Sequence, residues 1–140
     1  MLGAHFIKPW SSTQQVASLS SGGAEYYAMV KAGGAALGQQ ALVRDMGIDM
    51  NINLHTDSSA AKGISSRTGL GKLRHVEVYT LWLQEKVRQK LIKVLKVNGK
   101  ENPADAMTKY LPENLIDQML QRIGAYFLWR PRSIGTIVEQ

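Results

Sequence analysis

The chain alternates short apolar stripes with polar, glycine-marked breaks, and this rhythm defines its expected elements. Asn51-Ile52-Asn53-Leu54-His55 alternates with period two, as a half-buried strand does. Leu91 to Val97 reads as another strand, with Asn98-Gly99 as a turn after it. Residues 5–10 read as a short strand limited by Pro9, which cannot donate to a ladder. Helical spacing covers residues 23–46, with Ser20 and Ser21 available as caps before it and Gly47 to end it. Ala24, Ala28, Ala32, Ala35, Ala36, Leu42, Val43 and Met46 supply the small and apolar faces of that helix. Gly33, Gly34 and Gly38 lie inside it, each costing about 1 kcal/mol relative to alanine, so close packing against another backbone is the expected compensation. A second long helix is predicted over 75–90, with Val76, Tyr79, Leu83 and Val87 on one stripe. A last amphipathic helix begins at Pro112, with Leu115, Met119, Ile123 and Phe127 in step. Shorter helices are predicted over 58–64 and from Asn102-Pro103, where proline suits the first turn. Residues 65–73 form a basic, glycine-containing loop. Helices alternating with strands predict an α/β class, with helices against a small sheet.

Composition narrows the setting. A chain of 140 residues suits one domain with one core. No apolar run reaches the roughly 18–20 residues of a membrane span. The first residues do not form a secretory signal. With no cysteine, disulfides and thiolate metal sites are excluded, which suits an intracellular protein, cytoplasmic or nuclear. A net charge of +6 suits a polyanionic partner, and equally a generic basic surface.

Three acids sit beside small or apolar residues: Ala24-Glu25-Tyr26, Thr56-Asp57-Ser58 and Ala104-Asp105-Ala106. If brought together, such carboxylates need cations nearby to stay ionised. Oxygen donors without cysteine favour Mg²⁺, and a pair of such ions can hydrolyse a phosphodiester. Each acid also has an ordinary reading. Asp57 could cap the following helix, Asp105 could favour a helix N-terminus through its dipole, and Glu25 could be a solvated helix residue.

Four blocks, in order, carry a resemblance. Trp10-Ser11-Ser12 with Ser18-Leu19-Ser20-Ser21 leads into Ala24-Glu25-Tyr26. His55-Thr56-Asp57-Ser58-Ser59-Ala60-Ala61 follows, then Arg74-His75-Val76-Glu77-Val78, then Asn102-Pro103-Ala104-Asp105-Ala106-Met107-Thr108-Lys109. Together they resemble the ribonuclease H domain of copia-type LTR retrotransposon Pol polyproteins, over residues 2–111. The resemblance implies a ribonuclease H-like fold, a mixed sheet flanked by helices. It implies an endoribonuclease that hydrolyses the RNA strand of RNA–DNA hybrids during reverse transcription. It assigns Glu25, Asp57 and Asp105 as catalytic, metal-ligating residues for two Mg²⁺ ions, with Mn²⁺ a possible substitute. It also implies an upstream reverse transcriptase region as a partner, and no membrane.

The chain departs from the family pattern in one respect. The family's first aspartate lies on a strand upstream of the Trp10-Ser11-Ser12 segment, and no residue here stands for it. The expectation is therefore a domain incomplete at its N-terminus, lacking the first strand and most of the second, with weak or no catalysis alone. The alternative is a non-catalytic nucleic-acid-binding remnant of a retrotransposon. The expected organisation is an incomplete ribonuclease H-like domain over 1–111, an amphipathic helix packed on it over 112–129, and a flexible tail over 130–140.

Ser58, Ser59, Arg67, Lys72, Arg74 and His75 are the candidate nucleic-acid contacts, clustered around the loop that follows Asp57. For His75 the favoured reading is a helix-start residue bonded locally, with substrate contact as the alternative. Lys86, Arg88 and Lys90 suit a solvated helix face, and Trp82 suits the core.

Overall fold

The computed structural model describes residues 7, 10–14, 18, 20–69, 71 and 78–125. The chain divides into two compact units, Ser12–Asn102 and Met1–Ser11 with Pro103–Gln140. No helix among the described residues is long and apolar enough to cross a membrane.

The larger unit is mixed α/β. Helix α1 spans Ser21–Asp45, strand β1 spans Ile52–Thr56, and helix α2 spans Ser59–Ser66. A 3-10 turn, Val78–Leu81, leads into helix α3, Trp82–Arg88, and then strand β2, Ile92–Lys96. The two strands pair in parallel, Ile52 opposite Ile92 and Thr56 opposite Lys96. A parallel pair needs a long crossover, which α2 and α3 supply here.

Local chemistry explains the boundaries. The Ser20 side chain accepts a hydrogen bond from the Gly23 N–H at 3.1 Å and so caps α1. At the other end Gly47 has φ +80. Its N–H donates to the Arg44 carbonyl at 2.9 Å and that of Ile48 to the Val43 carbonyl at 3.1 Å, the paired bonds of a Schellman motif. The same pair closes α3, where Lys90, at φ 60, occupies the position glycine takes elsewhere. β1 buries Ile52, Leu54 and Thr56 and exposes Asn53 and His55, the alternation its sequence predicts.

The core joins Tyr26 and Met29 of α1, Ile52 and Leu54 of β1, Ala61 and Ile64 of α2, Leu83 of α3, and Ile92 and Val94 of β2. Trp82 packs against this cluster, half-buried. Two expectations for α1 need correction. Leu42 and Met46 do not join a buried face but are 58% and 63% exposed. Apolar residues lie all round this helix, so spacing alone did not single out the face carrying Tyr26, Met29 and Val43. The glycines also differ. A Cβ at Gly33 would lie 3.2 Å from both Leu83 Cδ1 and Trp82 Cη2, so this glycine admits side chains rather than a backbone. Gly34 and Gly38 have nothing among the described residues within 4 Å of such a Cβ, and close packing does not account for them.

Of the long helix predicted over 75–90, residues 75–77 lie outside the described residues, Val78–Leu81 is a 3-10 turn, and the α-helix spans Trp82–Arg88. Leu83 is buried and Val87 partly buried on its stripe, while Val76 falls outside the described residues. Ile7 and Trp10 are not in a strand, and the rest of the strand predicted over 5–10 lies outside the described residues.

In the smaller unit, a 3-10 turn, Pro103–Met107, precedes helix α4, Glu113–Arg122. Met119 and Ile123 are buried, in step with the predicted stripe. Gly124, at φ +69, ends α4 with its own Schellman bonds. Phe127 and the predicted tail lie outside the described residues.

Candidate nucleic-acid site around Asp57

Asp57 directly follows the last residue of β1. The strand is held by buried Ile52, Leu54 and Thr56, so the position of the acid is set by the core. Its carboxylate is half-buried and takes no hydrogen bond or ion pair from the described residues. Gly99 lies over it: a Cβ there would stand 3.3 Å from Asp57 Oδ2. The absence of a side chain at 99 thus leaves room at the carboxylate. Asn98 shapes that turn, its side chain accepting from the Lys100 N–H at 3.2 Å.

The serines beside Asp57 have local partners. Ser58 Oγ accepts from the Ala61 N–H at 3.1 Å and caps α2. The cap of α2 is therefore Ser58, not Asp57. Ser59 Oγ accepts from Lys96 Nζ, which brings a cation from the end of β2 to the start of α2.

Glu25 lies in the N-terminal part of α1 and is exposed. Three residues earlier, Gly22 makes the close contact between α1 and α2, since a Cβ there would fall 2.8 Å from the Ala60 Cβ. Residues three apart are neighbours on a helix surface, so Glu25 borders the helix contact that also holds the segment after Asp57.

Asp105 belongs to the other unit. Its Oδ2 accepts from Lys109 Nζ at 2.8 Å, an i,i+4 ion pair within its own turn. Its side chain is 15% exposed, against 57% for Lys109. Among the described residues, no group of three His, Asp or Glu side chains comes together that could hold a metal ion.

Arg67 is turned inward. Its Nε is buried, and a Cβ at Gly71 would lie 2.8 Å from its Nη1. Its charge reaches Tyr26, whose hydroxyl donates to the Thr80 carbonyl at 2.9 Å. Burial pushes the Tyr26 pKa up from 10.0 to about 12, with the Arg67 charge as the smaller cause acting in the opposite direction. Lys72, Arg74 and His75 fall outside the described residues. Arg88 pairs with Glu85 and is 64% exposed, as expected of a solvated face.

Sequence reasoning did not single out Gly99, Tyr26 or Gln84. Thr80 and Gln84 are polar, one helical turn apart on an otherwise apolar segment, and both are buried. That spacing is the one signal the sequence offered for Gln84.

No protein-family model and no solved structure matches the chain. A retrovirus-related Pol polyprotein from transposon TNT 1-94 of Nicotiana tabacum is similar to it, 28% identical over 118 residues. The match covers 83% of this chain and 9% of the polyprotein, so the chain spans a small part of that relative's length. The similarity supports a retrotransposon Pol-derived region as the origin of this sequence.

Proposed function

We propose that the chain is a retroelement ribonuclease H-type domain, directed at RNA–DNA hybrids and weak or inactive as a nuclease by itself. The observation that carries this reading is the placement of Asp57. It stands at the C-terminal end of a buried parallel strand, under a glycine, with its carboxylate unclaimed by the described residues. Ligands in open α/β sheets gather at that end of the strands. The reaction class comes from the motif order, and the Pol similarity supports a retrotransposon origin. In this reading the carboxylates of Glu25, Asp57 and Asp105 are metal ligands for Mg²⁺ or Mn²⁺, which would polarise the scissile phosphate and activate water.

The alternative is a non-catalytic nucleic-acid-binding remnant. It is favoured by the ion pair that Asp105 makes with Lys109 within its own turn.

Incubation with labelled RNA–DNA hybrid and Mg²⁺ or Mn²⁺ tests the proposal. Salt-dependent binding with little cleavage is expected, and robust cleavage abolished by Asp57→Asn would refute the impairment. Calorimetric titration separates the two readings: Mg²⁺ or Mn²⁺ binding lost in Asp57→Asn and Glu25→Gln supports the nuclease-type site. Its absence in the unaltered chain supports the remnant.

A further inference from the structure

Gln84 makes an unusual set of bonds. It is 7% exposed on α3. Its Oε1 accepts from the Gly69 N–H at 2.8 Å, while Nε2 donates to the Gly69 carbonyl at 3.0 Å and to the Ile64 carbonyl at 2.9 Å. Both amide donors and the carbonyl oxygen are therefore used. The Ile64 carbonyl lies in the last turn of α2, where a helix leaves carbonyls without intrahelical partners. Gly69, at φ +78, turns the chain just beyond. One side chain thus closes the end of α2 and holds both backbone groups of Gly69, twenty and fifteen residues away.

The segment so held is the start of the basic loop. Arg67, Thr68 and Gly69 form one wall of a cleft of about 290 Å³, with Gln84 and Arg88 on the α3 side. A flexible loop would have to be ordered on binding, and pre-ordering removes that cost.

We propose that Gln84 is a positioning residue that pre-sets the Arg67–Gly69 segment for contact with a nucleic-acid backbone. This rests on the hybrid-binding reading above and deepens it. Gln84 itself need not touch the ligand. It acts by fixing where the loop leaves α2.

The test compares the unaltered chain with Gln84→Met, which keeps the volume and removes all three bonds, and with Ile92→Val, which trims the core away from the loop. Two readouts are needed: amide exchange at Gly69, and RNA–DNA hybrid affinity as a function of salt. In Gln84→Met, faster Gly69 exchange is expected, with an affinity loss of roughly tenfold and a salt slope shallower by about one phosphate contact. Ile92→Val should leave the slope unchanged. Gln84→Met with fast Gly69 exchange but unaltered affinity and slope would overturn the positioning role, as would an equal slope change in Ile92→Val. If the unaltered chain does not bind hybrid, the functional reading fails and the positioning role with it. Slow Gly69 exchange in Gln84→Met would instead refute the clamp itself, whatever the affinity.

Discussion

Gly99 and Asp57 come together although their positions are 42 apart in the chain: the glycine's missing side chain would stand 3.3 Å from the Asp57 carboxylate. The contact joins the end of β1 to the turn that follows β2, and so depends on the parallel pairing of the two strands. Gly99→Ala is expected to displace the carboxylate by a few tenths of an ångström. A half-exposed acid can give way, so the stability loss should stay near the low end for overpacking, about 1 kcal/mol. Denaturant unfolding measures the loss. The side-chain carbon resonance of Asp57 reports the displacement, and an unchanged resonance would argue against contact.

The glycines of α1 should separate by substitution. Gly34→Ala and Gly38→Ala meet nothing among the described residues, so each should stabilise the fold by about 1 kcal/mol through helix propensity alone. Gly22→Ala brings a Cβ to 2.8 Å from the Ala60 Cβ and should destabilise by about 1–3 kcal/mol. Urea midpoints of the three variants check the ordering, and a stabilising Gly22→Ala would contradict the close α1–α2 contact.

Lys90 sits at φ 60 in the closing motif of α3. A side chain there costs about 1–2 kcal/mol that glycine avoids. Lys90→Gly is therefore expected to raise stability by about 1 kcal/mol once the greater freedom of glycine in the unfolded chain is counted. Thermal unfolding at matched salt would show this as a higher midpoint.

Tyr26 predicts a loss of stability in alkali. Its pKa in the folded chain is pushed up to about 12, above the ordinary 10.0. The unfolded chain therefore gives up the phenolic proton first. Below pH 10 the contribution is fully present, and it declines as pH rises from 10 towards 12. Tyr26→Phe removes this titration and the hydrogen bond to Thr80, costing about 1 kcal/mol at neutral pH. Unfolding curves at pH 8 and pH 11 should converge for the two proteins at the higher pH; a constant gap would speak against the titration.

Much of the local structure was legible beforehand. Ser20 and Gly47 bracket α1 because a cap and a left-handed stop act through bonds within a few residues. The alternation of Ile52, Leu54 and Thr56 shows the inward face of β1 because strand periodicity follows from the backbone. At the candidate site, the position of Asp57 at a strand end could be read in advance, and so could the solvated setting of Arg88. The inward turn of Arg67 could not, since residue type says only that a guanidinium is charged, not that Gly71 would leave space beside it.

By itself the sequence determined the helix stops, the strand alternation, the α/β order and the absence of cysteine chemistry, all of which act over short stretches of chain. Tertiary structure decided the rest. Parallel pairing placed Gly99 over Asp57, the α3 packing made Gln84 a clamp on Gly69, and Gly22 and Gly33 meet side chains where Gly34 and Gly38 meet nothing among the described residues. Each of these joins residues far apart in the chain. Their meeting depends on how the core closes, which no local preference encodes.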